Sequence, residues 1–243
     1  MRLASDNSTE TSEKETPVKR INDMAEVERF TDQELREKKI LTIDSTSKQV
    51  LNIFRGLRTK LHKKSRGRNY VCMVSSLVSN GGASYVVNNL AAAIALDKLK
   101  SALVIDCNLY APSAQNLMMT KVNHGLTDYL SSDDMRIEDI VYATGIPRVR
   151  AIPVGDNCEG GAELFSNKRM RQFIDEVRSR YDDRFIIIDA PSIGEFTAEA
   201  QILSDLSDFS LLVVPFGKVT TQQVVSSVNA ISPEKLAGTV FNN

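Results

Sequence analysis

Tryptophan is absent from this 243-residue chain, histidine occurs twice, and no apolar run is long. Each shortage closes a route. His62 and His124 stand far apart, and Cys72, Cys107 and Cys158 share no C-x-x-C spacing, so the sequence offers no zinc-site pattern. Cys72 and Cys107 fall inside apolar, strand-like runs. They read as two small core residues beside one loop thiol, which fits a reducing compartment. No stretch approaches the roughly 18 to 20 apolar residues that a membrane-spanning helix needs. The first residues are polar and carry Asp6 and Glu10, unlike a signal peptide. A cytoplasmic location is the expectation. Net charge is also lacking: 30 Lys and Arg against 31 Asp and Glu leave −1, so the chain as a whole is not built for polyanions. What is present is 42% hydrophobic residues, enough for the core of one domain with some tail.

Three regions follow from composition. Residues 1–40 read as a disordered or partly helical N-terminal tail. Residues 1–20 bury too little to offset ordering entropy, and a helix over 22–39 would place Met24, Val27 and Phe30 at a spacing of three, on or beyond the edge of the main domain. Residues 41–68 read as a helix capped by Ser45 or Ser47, with Val50, Ile53, Phe54, Leu57 and Leu61 on one stripe. Residues 55–68 hold seven Lys or Arg. A nucleic-acid patch is one reading of that run; a solvated or partner-facing helix end is the other, and the lack of interleaved aromatics disfavours nucleic acid. Residues 69–243 alternate short, branched apolar runs with amphipathic helices. Strands are expected at 70–75, 102–105, 150–154, 185–188, 211–214 and 238–241. Helices are expected at 84–96, 125–131, 137–142, 167–181, 197–206 and 221–231. That alternation predicts an α/β fold, a mostly parallel sheet with helices on both faces, with ligands beyond the carboxyl ends of the strands.

The first strand runs into Leu77, Val78, Ser79, Asn80, Gly81, Gly82, Ala83 and Ser84, then a helix opening at Tyr85. This has the shape of a phosphate-binding loop, whose usual string is G-x-x-x-x-G-K-[ST]. Leu77 stands at the first glycine and Ala83 at the lysine. Asn80, Gly81, Gly82, Ala83, Ser84 and Tyr85 are the candidate nucleotide-binding residues, because N–H groups at a helix start receive phosphate. Ser84 keeps the hydroxyl that would meet magnesium; Ala83 brings no cation. Ground-state binding loses about 1.5 to 3 kcal/mol by that, whereas phosphoryl transfer, which relies on positioning and electrostatics, loses its rate. Asp106 and Asp189 each end an apolar run. Either alone reads as a loop-capping aspartate; together beside such a loop they read as carboxylates of a magnesium site with Ser84, and as the catalytic pair if the site is active.

These residues resemble the cytoplasmic domain of the bacterial tyrosine autokinases of capsule and exopolysaccharide assembly, P-loop proteins related to the MinD and ParA ATPases. The resemblance runs from about Ser47 to Asn242. It rests on the loop, on Asp106-Cys107-Asn108-Leu109-Tyr110 where the family has D-x-D-x-R, on the intact Asp189-Ala190-Pro191, and on landmarks at Asn89-Leu90-Ala91, Gly125-Leu126, Ala162-Glu163-Leu164 and Gly238 to Asn242. It implies ATP or ADP with magnesium as ligand. It also implies homo-oligomerisation through Arg55 and Arg58, which match two arginines of the family's ring-forming E-x-x-R-x-x-R helix, with Asn52 at the glutamate. The family's tyrosine-rich tail has no match. The string also looks like standalone polysaccharide-biosynthesis proteins with Gly-Gly-Ala-Ser at the loop. The expectation is therefore a degenerate, weakly nucleotide-binding regulator that docks on a membrane-anchored chain-length or co-polymerase protein, peripheral to the inner membrane through that partner. The alternatives are an active tyrosine kinase and a MinD- or ParA-like positioning ATPase.

Overall fold

The structure, a computed structural model, describes residues 28–43, 48–156 and 160–243. The expected disorder of 1–20, the first part of the helix from 22, the caps Ser45 and Ser47, and Cys158 lie outside those residues.

Strands β1 (Val71–Ser76), β2 (Ser101–Asp106), β5 (Arg184–Asp189) and β6 (Phe209–Pro215) are buried at every position. That burial on both faces is why they read as continuous apolar runs. With β3 (Tyr142–Ala143), β4 (Val149–Ile152) and β7 (Leu236–Asn242) they form one seven-stranded sheet in the order β3-β4-β2-β5-β1-β6-β7. Every pairing is parallel except β3 with β4. Helices α2 (Lys48–Lys64) and α3 (Ala83–Ala95) cover one face, where Phe54, Leu61, Val86 and Leu90 meet Val74 and Ile187. The other face is covered by α4 (Leu126–Ser131), α5 (Gly161–Ser166), α6 (Lys168–Ser179), α7 (Thr197–Asp205) and α8 (Thr221–Asn229), with Phe165, Met170, Phe173 and Leu203 against Met73, Ile186 and Ile188. Among the described residues, no helix is long and apolar enough to cross a membrane.

Three stretches differ from the sequence expectation. Residues 28–31, expected within a helix over 22–39, are not helical, because Thr31 is extended and caps a helix that begins only at Asp32. In place of a helix over 137–142 there is a single 3-10 turn, Ile137–Asp139, followed by β3. Ile137 and Ile140 are both buried, and one 3-10 turn satisfies their spacing of three as well as a helix does. Helix α5 was not foreseen; it is six residues long and opens on glycine.

The described end of the N-terminal region forms α1 (Asp32–Glu37), closed at its start by a capping box between Thr31 and Glu34. Leu35 and Ile40 are buried, and Phe30 packs against the same core. The fully buried Asn89 of α3 fixes this segment: its Oδ1 accepts from the Leu41 N–H at 2.8 Å and its Nδ2 donates to the Lys39 carbonyl at 3.0 Å. The helix that starts at the loop is thereby tied to the chain that precedes α2.

Candidate functional site

The loop after β1 lies at the carboxyl ends of the strands. Leu77 N–H donates to the Val213 carbonyl of β6 at 3.1 Å, and Ile193 N–H donates to the Ser76 carbonyl at 2.9 Å. The loop is thus sewn to its neighbours on both sides. Asn80 and Gly82 have positive φ, 55° and 97°, the conformation that Asn tolerates and Gly adopts freely. A Cβ on Gly81 would lie 1.8 Å from Ser76 Oγ, so only glycine allows so close a return of the chain. Gly82 sits at the N-cap of α3 and offers no capping side chain; the first N–H groups of α3 have no intrahelical acceptor and face the region where an anion would bind. From behind, Asn242 Nδ2 of β7 donates to the Gly81 carbonyl at 3.2 Å.

These elements bound a cleft of about 310 Å³. Asn80, Gly81, Gly82, Ala83 and Ser84 all line it, with Asn108, Ser113 and Ser192 opposite. Tyr85 does not. One residue further round the helix, its ring meets Phe54 of α2 edge-on at 5.9 Å. Among the described residues, no Lys or Arg lines the cleft, and none occurs in the chain between Arg68 and Lys98.

Asp106 and Asp189 are register partners on β2 and β5, and both are buried. Asp106 is saturated by its own loop: Oδ1 accepts from Asn108 N–H at 3.0 Å, and Oδ2 accepts from the N–H groups of Ser113 at 2.7 Å and Ala114 at 2.8 Å. Burial raises its pKa and those three bonds oppose the rise. Asp189 has less support. Ser113 Oγ donates to Oδ2 at 3.2 Å, while Oδ1 is buried without a hydrogen-bond partner. Burial first, then the neighbouring Asp106, pushes its pKa up to about 8, and the hydroxyls of Ser84 and Ser113 offset only part of that.

Sequence reading missed a set of contacts beside the cleft. Glu195, exposed, accepts from the Ser79 N–H at 2.8 Å and from the Ser79 hydroxyl at 2.7 Å, and these bonds hold it below the usual carboxylate range. Tyr110, at the position of the family's arginine, stacks on Phe196 with ring centroids 3.5 Å apart and donates to Glu199 at 2.8 Å. No local pattern flags these partners, which lie 86 to 116 residues apart in the chain. Of the two candidate oligomerisation residues, Arg58 donates to the Ala93 carbonyl near the end of α3 at 2.8 Å; Arg55 is half-buried on α2.

The backbone fits a phosphate, since the bare helix start and the positive-φ turn are in place. The charge does not fit a magnesium triphosphate. Among the described residues the lining has no cation, one loop N–H is taken by Glu195, and the Gly81 N–H is taken by the Val78 carbonyl.

Sheet order, loop and helix define a P-loop NTPase-like protein. Comparison with known proteins narrows the class. Etk of Escherichia coli (strain K12), a tyrosine-protein kinase, is 27% identical over 205 residues, covering 83% of this chain and 28% of Etk. The tyrosine-protein kinase YwqD of Bacillus subtilis (strain 168) is 30% identical over 192 residues, 78% of this chain and 79% of YwqD. The chain belongs to the bacterial tyrosine-protein kinase family. It spans little more than a quarter of Etk's length. The kinase domain of Escherichia coli ETK superposes with a TM-score of 0.75 at 25% identity, over 90% of this chain and 82% of that one. Two P-loop ATPases share the fold alone. A ParA family ATPase from Chlorobium tepidum TLS has a TM-score of 0.52 at 18% identity, over 72% and 74% of the two chains. MinD from Pyrococcus horikoshii OT3, complexed with Mg-ADP, has 0.50 at 17%, over 68% and 78%. No family model matches the chain.

Proposed function

We propose that this chain is a regulatory member of the tyrosine kinase family that has lost effective turnover. It serves exopolysaccharide or capsule synthesis by docking on the cytoplasmic side of a membrane-anchored chain-length or co-polymerase protein. The observation that carries this reading is that, among the described residues, no Lys or Arg lines the cleft beside Asp106 and Asp189. Phosphoryl transfer gathers negative charge on the transferring group, and catalysis consists mainly of neutralising it in place. Here Ala83 stands where the neutralising lysine would be, and Tyr110 holds a closed stack where the family has arginine. ATP or ADP with magnesium would meet the N–H groups at the start of α3 and the Ser84 hydroxyl, and would be held weakly. The docking parts are the N-terminal segment and the basic run on α2, and homo-oligomer contacts would use Arg55. The polysaccharide connection comes from the family resemblance.

The active-kinase reading keeps one observation on its side: Asp189 Oδ1 is unpartnered, as a carboxylate awaiting an ion would be. The test is incubation of the purified chain with γ-labelled ATP and magnesium, alone and with a membrane co-polymerase protein. The proposal expects neither steady phosphate release nor phosphotyrosine in either arm. Turnover that vanishes in Asp189→Ala would overturn it.

A further inference from the structure

Among the described residues, strand β7 pairs with β6 and with no other strand. Its outer backbone groups are open to one more strand. The register slips between Ser210 and Leu211, which pair with Leu236 and Gly238, so Ala237 is the extra residue of a bulge. A Cβ on Gly238 would have nothing within 4 Å, so the strand is uncovered at this point. Beside the bulge lies a recess of about 110 Å³, floored by Leu57, Leu61, Leu211 and Ala237 and flanked by Lys60 and Lys64. Leu61 and Leu211 belong to the core, whereas both lysines are exposed. The recess is therefore an apolar hole, of a size for one aliphatic side chain, with cations at its mouth.

The charge on its α2 side is one-sided. No Asp or Glu occurs between Lys48 and Leu96, while residues 55–68 carry seven cations. Among the described residues, none of those seven makes an ion pair with a carboxylate. Lys64 makes a long bond to the Leu236 carbonyl at 3.4 Å and lies over the Phe209 ring; Lys60 has no such tie. Nucleic acid would want aromatic platforms among the charges, and the nearest aromatic in sequence, Tyr70, is 2% exposed. A bilayer surface offers nothing that enters a hole of this size.

We propose that the groove between α2 and β7 is a docking site for an extended segment of a partner protein that carries carboxylates around one apolar side chain. The apolar side chain fills the recess, the carboxylates meet Lys60 and Lys64, and the segment's backbone lies along the open edge of β7. This inference deepens the docking half of the proposed function and rests on it, but not on the inactivity of the loop. A kinase assay that failed the one would leave the other standing.

The test uses the full chain and a fluorescein-labelled peptide alternating Asp with Leu, followed by anisotropy. Its twin replaces every Leu with Ser at equal charge. Saturable binding of the Leu peptide is expected, with the Ser twin, Lys60→Glu and Ala237→Met each weakening it about tenfold or more. Thermal unfolding of both variants confirms that they fold, and Lys60 is exposed enough for its reversal to spare the fold. No binding, equal binding of the Ser twin, or an unchanged affinity in Lys60→Glu would overturn the proposal. So would vesicles of phosphatidylglycerol and phosphatidylcholine, or duplex DNA, binding more tightly than the peptide and losing that binding in Lys60→Glu.

Discussion

The ends of β2 and β5 lie side by side, each closing on a buried aspartate, and they are furnished in opposite ways. Asp106 accepts three backbone N–H groups from the loop that follows it. Asp189 has one serine hydroxyl on Oδ2 and nothing on Oδ1. Position at a strand end thus does not set a role. Asp106 organises the loop at 108–114, and that loop delivers Ser113 to Asp189. Asp189 is left with spare acceptor capacity and no positive neighbour, and burial raises its pKa. In a site with a lysine on the loop that capacity would be balanced by charge; here Ala83 leaves it unbalanced.

The largest expected effect comes from breaking the saturated side. Asp106→Ala leaves three loop N–H groups without their acceptor and should destabilise the chain by about 3 to 5 kcal/mol, read as a lower urea midpoint. The unsaturated side should behave in the opposite sense. Folded Asp189 holds its proton up to about pH 8, whereas an unfolded aspartate releases it at about pH 4. The stability this contributes is complete below about pH 4 and is lost as pH climbs to about 8. Asp189→Asn cannot ionise, so its advantage over the unaltered chain should grow across that window, to the order of 5 kcal/mol at its upper end. Unfolding midpoints that stay parallel at every pH would refute this.

A smaller effect is expected beside the cleft. Tyr110→Ala removes the stack on Phe196 and should cost about 1 kcal/mol beyond the lost area, with faster proteolysis near the 108–113 loop. Smallest is Glu195→Gln, which keeps the shape but removes the charge on the Ser79 N–H. It should leave the melting temperature nearly unchanged and speed amide exchange at Ser79. Slower exchange there would show that Glu195 does not hold the loop.

The strands were legible because β1, β2, β5 and β6 are buried on both faces and leave continuous apolar runs such as Phe185 to Ile188. The loop was legible because a small-residue turn between strand and helix has few alternative uses. Less visible were features set by distant partners. That Asp106 is spent on loop amides depends on where the backbone of Ser113 and Ala114 returns. That Tyr85 leaves the cleft depends on one step of helical rotation and on Phe54 being there to meet it. Glu195 meets Ser79 across 116 residues, and neither sits in a motif. The spacing of Ile137 and Ile140 misled because a 3-10 turn and a helix share it.

Calorimetric titration of magnesium-ATP into the unaltered chain and into Ala83→Lys asks the central question most directly. If the cradle is intact and only its cation is missing, the unaltered chain should bind weakly. The added lysine should then tighten binding about tenfold or more, the worth of one charged contact. Affinity near 1 μM in the unaltered chain, on the order of −8 kcal/mol, with no gain from Ala83→Lys, would contradict the account.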